Sequence, residues 1–159
     1  MQKVVTADLN NPLHCAAIVR LLDEYAQDLA GGQSPLSAYC RSNLIAQMRQ
    51  RNTIHCLLAY QGEAIAGLAI CVEGFSTFNC RPLLNLHDLC VSENARGQGL
   101  GKLLLQQVCT LAQQLDCCKV TLEVLSGNTR AAALYQQMGF QPYTLDPAMG
   151  HAIMLQHYL

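Results

Sequence analysis

The sequence predicts a single α/β domain organised on a mixed β-sheet, and three observations predict it. Strand-like runs alternate with runs of helical period along the whole chain. A glycine-rich hexapeptide, Arg96-Gly97-Gln98-Gly99-Leu100-Gly101, stands between a strand-like run and a long amphipathic one. Hydrophobic residues make up 51% of the 159 and charged residues 13%, enough apolar side chain for a large core and too little charge for disorder. A chain of this length buries roughly 70% of its unfolded surface.

The elements follow in order. Residues 4–6 read as a short first strand. Asn11-Pro12 offers a helix N-cap and a first-turn proline, and Leu13, Ala17, Leu21, Tyr25 and Leu29 recur at helical spacing until Gly31-Gly32 stops them. Ser34-Pro35 repeats the start signal, for a second helix to about residue 50. Runs 55–60 and 64–72 read as strands around a hairpin turn at Gln61-Gly62-Glu63, and 84–91 is the next strand. In the helix over 100–115, Leu100, Leu104, Val108, Leu111 and Leu115 form a stripe, with Lys102, Gln106, Gln113 and Gln114 off it. A strand at 119–124 and a helix at 129–138, closed by Gly139, come next. Two strand-like runs, 141–145 and 152–159, end the chain. The predicted order is β-α-α-β-β-β-α-β-α-β-β, one domain over 1–159, with no linker or repeat.

Charge and cysteine usage narrow the function. A net charge of −1 argues against a nucleic-acid surface. No apolar run reaches the ~18 residues of a membrane span, and Met1-Gln2-Lys3 does not begin a signal peptide, so a cytoplasmic location is expected. The nine cysteines lie mostly within apolar runs, show no C-x-x-C, and read as reduced thiols rather than disulfides or metal ligands. Cys117-Cys118 is read as exposed and prone to oxidation. The low charge and apolar last strand lead to an expected homodimer.

The glycine-rich turn carries the chemistry. A turn feeding a helix leaves several N–H groups aimed at one point beside the positive end of the helix dipole, a receptor for phosphate or pyrophosphate. A nucleotide P-loop needs Gly where Arg96 stands and Ser or Thr where Leu103 stands. The dinucleotide fingerprint needs Gly at 102, which is Lys. In the preceding strand Asn85, His87 and Asp88 interrupt an apolar run, where polar groups are costly unless partnered or used. Asn85 reads first as bonded to a neighbouring strand, His87 and Asp88 as functional.

The remaining pattern, R-x-x-G-x-G at Arg96 to Gly101, resembles the pyrophosphate loop of the acetyl-CoA-dependent N-acetyltransferases of the GNAT superfamily. The run N-x-x-A-x-x-L-Y-x-x-x-G-F from Asn128 to Phe140 extends the likeness, which is strongest over 85–140. The resemblance implies the GNAT fold, acetyl-CoA as co-substrate, no metal, and a small amine, polyamine or amino-acid-like acceptor. It further implies that Gly97, Gln98, Gly99, Leu100 and Gly101 hold the pyrophosphate, with Arg96 and Lys102 flanking it. Backbone groups of Leu89 and Val91 would bond the pantetheine arm, and an N–H at Leu89 or Cys90 would polarise the thioester. Asn128 would contact the pantetheine and Tyr135 protonate the departing thiolate, the alternatives being an N-cap and a packing tyrosine. Polyamine-type members carry Glu-Asp where this chain has His87-Asp88, so either His87 or Asp88 is a candidate base. Asp23, Glu24 and Asp28 read as a solvated face, or else as an attraction for a cationic acceptor. A non-catalytic acyl-CoA sensor and a protein N-terminal or lysine acetyltransferase are the other functions considered.

Overall fold

Near-continuous apolar runs, buried on both faces in the central strands, build a five-stranded sheet in a computed structural model that describes residues 1–159. The strands are β1 (Gln2–Thr6), β2 (Ile54–Gln61), β3 (Ala64–Ser76), β4 (Arg81–Val91) and β5 (Val120–Leu122). They lie in the order β1-β2-β3-β4-β5, antiparallel except for the parallel β4–β5 pair. The expected hairpin is present, with Gly62 at φ +63° between the paired Gln61 and Ala64. β3 runs four residues beyond the predicted end at 72, because its ladder with β4 continues past Val72, from Glu73 opposite Leu84 to Ser76 opposite Arg81, although the apolar run has ended.

The chain divides into two compact units, Met1–Leu122 and Glu123–Leu159. In the first, α1 (Pro12–Gln27) is capped by Asn11, whose side chain accepts from the Leu13 N–H. Its buried face is Ala17, Ile18, Leu21 and Leu22, while Leu13 and Leu29, placed on the apolar stripe by spacing, are exposed. α2 (Ala38–Arg49) starts later than expected, because Ser37 rather than Ser34 accepts the capping bond, from the Cys40 N–H. Ile18, Leu21, Leu22 and Met48 pack with Cys56, Leu58, Leu68, Ile70 and Cys90 on one face of the sheet. The opposite residues of the same strands face α3 (Leu100–Gln114), whose Leu100, Leu104, Leu105 and Val108 are buried.

The smaller unit holds α4 (Thr129–Gln137), followed by Gly139 at φ +87° as expected. The two closing strands expected at 141–145 and 152–159 are not formed, so the observed order ends on a helix and a short 3-10 turn, Pro147–Met149. Strand-like composition alone does not make a strand; it needs a partner ladder. Pro142 has no N–H to give one, and Asp146 caps the 3-10 turn instead of continuing a strand. The two runs meet at the Ala152 N–H to Tyr143 carbonyl contact of 3.5 Å and at Thr144 Oγ1 to His151 Nδ1, 3.2 Å. Two short runs with no third strand are marginal.

Candidate active site

β4 is irregular at the position its polar residues occupy. Its ladder with β3 pairs Leu86 with Cys71 and Asp88 with Ile70, leaving His87 as the extra residue of a β-bulge. A bulge redirects side chains: Asp88 comes to the face shared by Ile70 and α1, while His87 is exposed. Asn85, by contrast, bonds the neighbouring strand as expected, its Nδ2 donating to Thr121 Oγ1 at 3.1 Å. Burial holds the Asp88 carboxyl above the usual carboxylate range, and the adjacent His87 pulls it the other way.

The parallel ladder to β5 ends at Leu86 and Leu122, while that to β3 continues to Val91 and Gly67. Within the larger unit, residues 87–91 therefore present a strand edge on the β5 side, where an extended amide-bearing ligand can add as a strand. Cys90 is buried, its Sγ donating to the Leu21 carbonyl at 3.6 Å, and burial with the nearby Asp88 pushes its thiol up to about 12. All nine cysteines are free thiols; Cys117 and Cys118 are half-buried and the exposed one is Cys80.

Beyond β4 the chain makes a 3-10 turn, Glu93–Ala95, and enters α3 through Gly97 and Gly99 at φ +78° and +88°. A Cβ at either glycine would meet nothing within 4 Å, so the need is conformational. The caps of the other helices, Asn11, Ser37 and Asn128, each accept a backbone N–H through a side chain. Gly99 offers none to α3, whose first turn carries Lys102 and no acid. Its first N–H groups receive no side-chain cap, an arrangement that can accept an anion. Gln98 pins the turn to the sheet, its carbonyl accepting from Gln2 Nε2 at 2.9 Å and its side chain bonded to Gln61.

Arg96, expected to flank the pyrophosphate, is paired here within the larger unit. Its Nη2 pairs with Asp28 Oδ2 at 2.6 Å and its Nε donates to the Val91 carbonyl at 3.0 Å. The acidic residues of α1 are likewise partnered rather than simply solvated. Glu24 accepts from Arg20 at 2.6 Å and from Ser92 Oγ at 2.7 Å, and Asp23 accepts from the Leu36 N–H at 2.8 Å. Between α1 and the start of the turn lies a cavity of about 690 Å³ lined by Arg20, Glu24, Tyr25, Asp28, Cys90 and Arg96, among others. Burial, then the nearby Asp88, raises the Tyr25 phenol above its usual range.

In the smaller unit, Asn128 Oδ1 accepts from the Ala131 N–H at 3.2 Å, so this side chain does serve as an N-cap. Tyr135, two turns along α4, is buried, with the Phe140 ring tilted against it at 6.0 Å.

Residues 17–140 match the model of the acetyltransferase (GNAT) family. The chain belongs to the GNAT acetyltransferase family. It is 33% identical to thialysine N-epsilon-acetyltransferase of Bos taurus over 98 residues, 57% of each chain, and so spans little more than half of that relative. It is 23% identical over 111 residues to glucosamine 6-phosphate N-acetyltransferase of Trypanosoma brucei brucei, covering 69% of this chain and 74% of that one. A crystal structure of a probable acetyltransferase superposes with a TM-score of 0.82 over 98% of both chains at 21% identity, a likeness of fold.

Within this GNAT chain, sequence reasoning missed Arg20, Tyr25 and Ser92 as cavity residues and the bulge that separates His87 from Asp88. Tyr25 had a signal, a polar tip at the end of a buried stripe. Arg20 showed only its i,i+4 spacing to Glu24, which does not point to a cavity, and Ser92 had no signal, since its partners Glu24 and Arg20 lie 68 and 72 residues away.

Proposed function

We propose that the chain is an acetyl-CoA-dependent N-acetyltransferase that moves the acetyl group to a primary amine by direct attack in a ternary complex. One observation carries this: the uncapped start of α3 follows directly on the open β4 edge that bears Asp88 and His87. The first suits a pyrophosphate, the second an extended pantetheine arm, and together they fit the co-substrate. No helix is long and apolar enough to cross a membrane.

In this reading the N–H groups following Arg96 hold the pyrophosphate, and backbone groups of Leu89 and Val91 align the arm. An N–H at Leu89 or Cys90 donates to the thioester oxygen as charge develops there, a contribution of about 3 kcal/mol. The acceptor ammonium loses its proton to Asp88, whose desolvated carboxyl binds a proton more strongly than a surface one, or through His87. The free amine attacks the carbonyl, the carbon–sulfur bond breaks, and Tyr135 delivers a proton to the thiolate. The elevated Cys90 pKa disfavours a covalent acyl-cysteine route.

The acceptor is proposed to be a small amine, polyamine or amino-acid-like molecule, in keeping with the relatives named for thialysine and glucosamine 6-phosphate. The test is CoA release from acetyl-CoA across a panel of polyamines, amino acids, aminoglycosides and peptides. Acceptor-dependent release is the expected result; tight acetyl-CoA binding with no release on the whole panel would point to a sensor instead. A cytoplasmic homodimer is part of the same proposal, and light scattering that shows only a 17 kDa species at micromolar concentration would end the dimer.

A further inference from the structure

Arg96 opens the glycine-rich turn, yet its guanidinium is spent on two groups within the larger unit, the Asp28 carboxylate and the Val91 carbonyl. Asp28 is held firmly: it ends α1, its Oδ1 accepts from the Ala30 N–H, and its carbonyl accepts from Gly31 and Gln33. Both partners line the cavity beside Tyr25 and Cys90, whose other charges are Arg20, Glu24 and Glu93. The Arg96 and Asp28 side chains remain 36% and 29% exposed, so the pair is within reach of an entering ligand.

We propose that Asp28 and Arg96 form an exchangeable latch between the acceptor side and the anion-binding turn, an inference that rests on acetyl-CoA being the co-substrate. A diphosphate at the start of α3 competes with Asp28 for the guanidinium, since a guanidinium pairs with phosphate at least as well as with carboxylate. When Arg96 transfers, two groups are released. The Val91 carbonyl becomes available to an amide N–H of the arm, and the Asp28 carboxylate faces the cavity free to pair with an ammonium. Asp28 is thereby a residue that opposes co-substrate binding beforehand and holds the acceptor afterwards, which places CoA binding before amine binding.

The test is a double-mutant cycle read by calorimetric titration with CoA. Asp28→Asn keeps the capping oxygen that bonds Ala30, so the α1 terminus is retained. The latch predicts that Asp28→Asn tightens CoA by about two- to fivefold, the range of a half-exposed ion pair, and that this gain vanishes in an Arg96→Gln background. Asp28→Glu, which keeps the charge, should bind like the unaltered chain. An equal gain with and without Arg96 would reduce the effect to simple removal of a negative charge and overturn the latch. Weaker CoA binding by Asp28→Asn would also overturn it, since Asp28 would then be orienting Arg96 for the ligand. If the unaltered chain binds no CoA, the co-substrate reading fails first and the latch with it.

Discussion

Gly67 on β3 sits where the sheet, α3 and the β4 edge meet, and replacing it by alanine is a direct probe of that junction. It pairs with Val91, the last residue of the β4 edge. A Cβ there would lie 3.0 Å from Leu104 Cδ1, 3.2 Å from Ala59 Cβ and 3.4 Å from the Cys90 carbonyl oxygen. Its φ lies outside the left-handed region, so the cost is steric. Leu104 is fully buried and cannot swing away, and the Cys90 oxygen is backbone. An added methyl in such a place costs about 1–3 kcal/mol. At ~2–4 °C per kcal/mol for a chain of this size, Gly67→Ala should lower Tm by roughly 2–12 °C in a calorimetric scan. Because the strain falls on Leu104 and Cys90, Leu104→Ala, which alone costs about 2–5 kcal/mol, should cost less in the Gly67→Ala background. An unchanged Tm, or strictly additive losses, would refute the reasoning.

Four further outcomes are expected. Asp88→Asn should reduce kcat by about 10²–10⁴ and remove the acid limb of the pH profile, since a base must be deprotonated to act; unchanged kcat would assign the role elsewhere. Its folded pKa lies above the unfolded one, so Asp88 contributes stability at low pH that is lost as pH rises through the folded value. The same variant should therefore gain more in Tm at pH 8 than at pH 4, and a gain independent of pH would contradict the desolvated carboxyl. Tyr135→Phe should lower turnover far more than acetyl-CoA affinity, as measured by steady-state kinetics beside direct titration; equal kcat would remove its role as acid. Mass spectrometry after incubation with acetyl-CoA alone should find Cys90 unmodified, and an acetyl group there would replace direct attack by a two-step route.

What the sequence made legible were features written in local patterns. The Asn11 cap, the hairpin at Gly62, the Leu100 stripe and the Gly139 terminus all depend on neighbours within a turn or two. Ser34-Pro35 carries the start signal in the sequence, while the helix itself starts after Ser37, because α2 has a weak apolar stripe, with Met48 as its one buried residue, and nothing fixes its phase. The bulge at His87 is a property of pairing with β3 and leaves no mark on the strand's own residues. Arg96 belonged by motif to a phosphate site, but its partner Asp28 lies 68 residues away, beyond any local rule. The terminal runs had strand-like composition but form no ladder, which composition alone cannot supply. The candidate site was thus readable as a set of residues, whereas their orientation came only with the tertiary structure.

The most direct test of the central claim is an acetyl-CoA titration followed by backbone amide NMR. The account predicts saturable binding with the largest shifts at the amides of Gly97, Gln98, Gly99, Leu100, Gly101 and Lys102, and a second group at Leu89, Cys90 and Val91. Saturable binding that leaves both groups unmoved, or no binding at all, would contradict it.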